Sequence, residues 1–137
     1  MLSYHGTSFA HASYMSQGNI SVTRGGGEFG RGFYTQNSRV NAARWALTRY
    51  PNPAILEIGI PDHLYDSFHI VRLDLMKARK LVQRLRSTNK TNTYVRKCDV
   101  IEGPLVGSPQ HTQYKFESDN AQDVLNGSEA NREVTAI

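Results

Sequence analysis

The 137-residue chain carries a single cysteine, Cys98. One thiol can neither close an intrachain disulfide nor hold zinc by itself, so the fold does not depend on oxidation. Cys98 reads as a small apolar residue in a strand. No apolar run approaches the roughly 20 residues that a helical membrane span needs. The opening MLSYHGTSFAH has neither a basic nor an apolar region of the kind that makes a signal peptide. Action in the cytoplasm is therefore expected, with any export left to another segment or machine. The five histidines show no metal-ligand spacing, so no metal is expected. No internal repeat or interdomain linker is visible.

What is present describes one domain of ordinary size. A hydrophobic content of 39% suits a packed core. The net charge of +4 favours anionic partners only mildly. Much of the basic charge lies between Arg72 and Lys97, where a solvated helix face is the plain reading and nucleic-acid binding the sharper one.

Along the chain, residues 2–5 read as a short strand and residues 10–17 as a short helix. The glycine-rich run Gly25-Gly26-Gly27-Glu28-Phe29-Gly30-Arg31-Gly32 reads as the most flexible stretch, and residues 33–35 as a strand leaving it. Ser38 caps a helix to about Arg49, ended by Pro51 and Pro53. Val40, Ala43 and Leu47 form its expected core stripe. Residues 54–60 read as a buried strand and 69–73 as another. Asp74 caps a basic helix over 75–86, and a polar loop covers 87–93. Residues 94–101 read as a strand closed by the turn Gly103-Pro104. Residues 113–117 alternate as a strand, for which a polar edge is the plain reading. Asp119 caps a last helix to Leu125, and the tail after Gly127 reads as loose. Strands and helices do not alternate regularly, which argues for α+β over a doubly wound sheet. The glycine run follows no clear strand, which argues against a dinucleotide-binding fingerprint.

Three segments carry chemistry. In Tyr4-His5-Gly6-Thr7, a histidine at a strand end is followed by a glycine that lets backbone approach a ligand. In Phe29-Gly30-Arg31-Gly32-Phe33-Tyr34, a glycine loop leads to an aromatic residue. Trp45 lies off the expected core stripe, so Tyr34 and Trp45 form a candidate sandwich for a flat ring. In the third segment Gln113, Lys115 and Glu117 share a strand face.

In order and spacing these segments resemble the ADP-ribosyltransferase superfamily, on its diphtheria-toxin and poly-ADP-ribose-polymerase side. Tyr4-His5-Gly6-Thr7 is similar to the family's first motif, and Gly30-Arg31-Gly32-Phe33-Tyr34-Thr35 to its glycine-x-tyrosine motif. Trp45 falls where a second stacking aromatic is usually tyrosine, and Gln113 falls where the catalytic glutamate usually lies. The resemblance runs from His5 to Gln113 and extends to small bacterial toxin domains.

The resemblance implies an α+β fold with a split β-sheet core and flanking helices around an NAD cleft, spanning residues 1–137 as one domain. It implies a mono-ADP-ribosyltransferase: a glycosyltransferase that cleaves NAD and passes ADP-ribose to a macromolecule, protein or RNA. His5, Tyr34 and Gln113 would be catalytic; His5, Gly6, Thr7, Arg31, Gly32, Tyr34 and Trp45 would bind NAD, with Arg24 as an alternative to Arg31 at the pyrophosphate. A toxin module cut from a longer secreted chain is expected, with an immunity protein as partner and no membrane. The main departure is Gln113. Its carbonyl oxygen keeps a hydrogen bond to ribose, but it supplies neither charge nor base. Glu117 lies about 13 Å further along the strand. Two other functions follow from the same residues: a module that binds NAD or ADP-ribose without turnover, and an RNA-binding module using the basic helix.

Overall fold

Seven strands and five helices are seen in the computed structural model, which describes residues 1–88 and 98–137. In chain order they are β1 (Leu2–Ser8), α1 (Phe9–Ser16), β2 (Phe33–Gln36), α2 (Arg39–Arg49), β3 (Pro53–Gly59), α3 (Asp62–Tyr65), β4 (Ile70–Arg72), α4 (Leu75–Ser87), β5 (Val100–Leu105), β6 (Ser108–Phe116), α5 (Asp119–Asn126) and β7 (Asn131–Ala136). The chain is mixed α+β, with multi-stranded sheet flanked by helices, and its contacts divide it into two compact units.

The first unit comprises Met1–Ile20, Thr35–Ser67 and Asp123–Ile137. Its strand order is β2-β1-β3-β7. β1 and β3 pair antiparallel from Leu2↔Gly59 to Ser8↔Pro53. β3 is buried through Ala54, Ile55, Leu56 and Ile58, as its apolar density predicts. Ser8 caps α1 and Ser38 caps α2, each accepting a backbone N–H three residues on.

Three details depart from the pattern in the sequence. The buried face of α2 is Ala42 and Ala46, both fully buried, whereas Val40 and Leu47 are exposed. The cause is Gly6 on β1: a Cβ there would lie 2.2 Å from the Ala42 carbonyl oxygen. Helix and strand backbones approach so closely that only alanines fit between them, and the larger side chains turn outward. The tail expected to be loose instead forms β7, paired with β3 from Ala54↔Ala136 to Gly59↔Asn131. Its main chain completes the ladder of a buried strand, which requires no apolar pattern of its own. The Arg132 guanidinium fixes its start by donating to the carbonyls of Leu125 and Gly127 at 2.8 and 2.9 Å.

The second unit comprises Ser21–Tyr34 and Phe68–Gln122. β5 pairs in parallel with β4 and antiparallel with β6. Gln113, Lys115 and Phe116 of β6 are buried, so the strand is not the solvated polar edge that its sequence suggests. Gly103-Pro104 lies inside β5, at an irregularity in the ladder between Pro104 and Leu105 that accommodates the missing proline N–H. The chain reverses after Leu105, which pairs with Ser108. Of the strand expected over 94–101 and the loop over 87–93, residues 89–97 lie outside the described residues. Asp74 caps α4 by accepting from Lys77 N at 2.8 Å. α4 buries Ala78, Leu81, Val82 and Leu85 against Phe29, Cys98 and Ile101.

Candidate functional site

The residues singled out in the sequence fall into both units. His5, Gly6, Thr7 and Trp45 belong to the first; Arg31, Gly32, Tyr34 and Gln113 belong to the second.

In the first unit, His5 sits mid-strand on β1 opposite Leu56, and Thr7 is buried opposite Ala54. The close approach at Gly6 is made by the backbone of α2. Trp45 is half-exposed on α2, and the Arg49 guanidinium lies over its ring at 3.1 Å from the centroid. Four residues apart on a helix, the two side chains meet on one face, and the cation is attracted to the ring.

The second unit brings Tyr34 and Gln113 to the same glycine loop. That loop is closed by Gly32 N donating to Gly25 O at 3.2 Å and Gly30 N donating to Gly27 O at 3.1 Å. Gly30 adopts φ 89°, where a side chain is strained. A Cβ on Gly32 would lie 2.7 Å from Phe116 O and from the Lys115 side chain, so the loop lies tight on β6. The Tyr34 hydroxyl accepts from Phe29 N at 2.9 Å and donates to Gly30 O. Its ring rests on Gly27, where a Cβ would come within 2.8 Å of it. Burial pushes the phenol well above tyrosine's usual range; the Phe29 N–H opposes this, and the charges of Glu28 and Glu117 add to it. Tyr34 is thus an uncharged brace for the loop at neutral pH and no general base.

Gln113 is buried on β6. Its Nε2 donates to Glu28 Oε1 at 2.7 Å and to Pro104 O at 3.2 Å. Both neighbours are acceptors, so the amide must present its NH₂ to them. Oε1 is then the acceptor atom of the amide. The same Glu28 oxygen accepts from Val106 N at 3.0 Å. Glu28 was not singled out in the sequence. It is a lone acid in a glycine run, and its partner lies 85 positions away, beyond any local pattern.

Lys115 and Glu117 share the face of Gln113, as alternation predicts. All three are buried, with exposures of 0%, 5% and 3% respectively. Lys115 Nζ is ion-paired with Glu117 Oε2, and Cys98 Sγ donates to Glu117 Oε1 at 3.6 Å. Burial lowers the Lys115 pKa against the pull of Glu117. Burial likewise raises the Cys98 thiol to about 12, with the charge and hydrogen bond of Glu117 in support. Glu117 is therefore committed to a buried pair, and Glu28 is the carboxylate at Gln113.

Among the described residues, no group of three or more His, Cys, Asp or Glu is arranged to hold a metal ion. Among them, no helix is long and apolar enough to cross a membrane. No protein-family model matches the chain, and no curated protein matches it.

Proposed function

We propose that this chain is an NAD-dependent mono-ADP-ribosyltransferase with the split-sheet core of that superfamily. The reading rests on the order of its motifs, Tyr4-His5-Gly6-Thr7, Gly30-Arg31-Gly32-Phe33-Tyr34-Thr35, Trp45 and Gln113. One structural observation carries it furthest: Gln113 is held by Glu28 and Pro104 through its Nε2, which leaves its carbonyl oxygen as the amide's acceptor. An oriented acceptor of this kind suits a ribose hydroxyl, and the Glu28 carboxylate beside it restores the negative charge that glutamine lacks. In the reaction the bond from the ribosyl carbon to nicotinamide breaks, with its electron pair leaving on nicotinamide. An acceptor atom then bonds that carbon and loses its proton. Negative charge near the cationic ribosyl transition state lowers the barrier. His5 would hold a ribose, Arg31 the pyrophosphate, and Tyr34 and Trp45 would contact nicotinamide.

The test incubates the purified chain with NAD labelled in its adenylate and with a cell lysate, in parallel samples treated with nuclease or protease. Label is expected to enter a macromolecule, with stoichiometric nicotinamide release, and to vanish with His5→Ala or Gln113→Ala. Binding of NAD without nicotinamide release would sink the transferase and leave a binding module.

A further inference from the structure

Residues 75–98 contain eight of the sixteen Lys and Arg residues and not one Asp or Glu, while the remaining eight basic residues face all twelve acidic ones. The net positive charge is thus the property of one segment, and the rest of the chain is net acidic. Such asymmetry marks an electrostatic surface and not a merely soluble one.

The helix in this segment turns its charge outward. On α4 the apolar residues Ala78, Leu81, Val82 and Leu85 are buried, and Lys77, Arg79, Lys80, Gln83, Arg84 and Arg86 are exposed. Arg84 and Arg86 stand in the last turn, where the helix dipole favours cations. Lys77 stands in the first turn, where the dipole disfavours them and where the N-cap Asp74 is the one acid at that end. Helix stability accounts for the last turn and not for the first half. Arg79, Gln83 and Arg86 recur at helical spacing, two turns or about 10.5 Å from first to last. With Val82, Ser87 and Val106 they line an open groove of about 470 Å³.

We propose that this face of α4 binds the phosphate backbone of nucleic acid, in the groove between Arg79, Gln83, Arg86 and Val106. Planar guanidinium groups in a stripe match successive phosphates, and the amide of Gln83 between them can donate to a phosphate or a base edge. A membrane surface fits worse. A helix that lies in a bilayer needs an apolar face turned outward, and that face of α4 is spent on the core.

The experiment follows fluorescence anisotropy of a labelled 20-nucleotide poly-uridine RNA and a labelled 20-base-pair DNA duplex, titrated with the whole chain at several salt concentrations and without NAD. At least one probe binds at 50 mM salt, and its affinity falls steeply as salt rises. Arg79→Gln/Arg86→Gln weakens binding and lowers the magnitude of the log–log salt slope by about 1.5 to 2. Both side chains are exposed, so melting temperature stays put. Arg39→Gln/Arg44→Gln, on α2, is the control and binds as wild type. Absence of binding to both probes, an unchanged slope in the α4 variant, an equal loss in the α2 control, or capture by phosphatidylserine vesicles in place of both nucleic acids overturns the proposal. His5→Ala is expected to leave this binding intact, which separates it from any failure of the NAD reading.

Discussion

The carboxylate of Glu28 and the side-chain amide of Gln113 meet at 2.7 Å across 85 residues of sequence. Their contact joins the glycine loop to strand β6 and fixes which way the amide faces. Under the proposed transferase reading Glu28 supplies both charge and orientation, so Glu28→Gln, which keeps a carbonyl acceptor and loses the charge alone, is expected to slow nicotinamide release by about tenfold. Glu28→Ala lets the amide turn and loses about 10²-fold or more, on the scale of removing one preorganised hydrogen-bonding group. Equal losses in the two variants would show that charge and not orientation is the contribution.

The same contact changes what Gln113→Glu does. That substitution looks like restoration of the usual catalytic glutamate, but in this structure it places a second carboxylate against Glu28. Like charges at hydrogen-bond distance cannot both ionise cheaply, so the new carboxyl titrates above the usual carboxylate range. A folded-state pKa raised in this way favours the folded protein at low pH and loses that benefit as pH rises through it. Gln113→Glu is thus expected to melt lower than wild type at pH 7 and to close the gap near pH 5. The exchanged variant Glu28→Gln/Gln113→Glu keeps one amide and one carboxylate, and its melting temperature should return toward wild type. A single variant as stable at pH 7 as at pH 5 would refute the contact.

How legible this was differs from element to element. The caps Ser38 and Asp74 gave the starts of α2 and α4 because an N-cap is local chemistry. The shared face of Gln113, Lys115 and Glu117 followed from strand alternation. What failed depended on distant neighbours. The buried face of α2 is set by a glycine on β1, β7 is set by the open edge of β3, and the position of Pro104 within β5 is set by its pairing with Thr112 on β6. Glu28 belongs with these: nothing within the loop indicates that a side chain of β6 will meet it.

Lys115 and Glu117 form a buried ion pair in the second unit. Removing one partner of a buried ion pair leaves an uncompensated charge and costs about 3–5 kcal/mol. Lys115→Met or Glu117→Leu alone should lower unfolding free energy in urea by that order. The double substitution should recover much of the loss, because Cys98 of the apolar cluster lies against the pair. An additive double variant would show that the pair is not coupled.

Asp99 should contribute to acid sensitivity. Burial raises its pKa, but hydrogen bonds from Ser118 Oγ, His69 N and Asn120 outweigh that, and the net shift is downward. A depressed carboxyl stabilises the folded state above its unfolded pKa and loses that stabilisation as pH falls through the folded one. Stability of the wild type should therefore drop below about pH 4, and Asp99→Asn should flatten that part of the profile. A profile unchanged by the substitution would assign the acid limb to other carboxylates.

Trp45 offers the cleanest division between a structural and a functional aromatic. Its ring is half-exposed and covered on one side by Arg49, so Trp45→Ala forfeits little core packing and an exposed cation–π contact worth about 0.5–1 kcal/mol. Melting temperature should move by only a few degrees. If the indole stacks on nicotinamide as the motif order implies, NAD turnover falls far more than stability does, and Trp45→Tyr restores most of it because the stacking surface returns. Gly6→Ala gives the opposite signature: its methyl would strike the Ala42 carbonyl, so it unfolds the protein before it can report on any ligand. Turnover unchanged in Trp45→Ala would remove the indole from the NAD reading and leave it as a surface partner of Arg49.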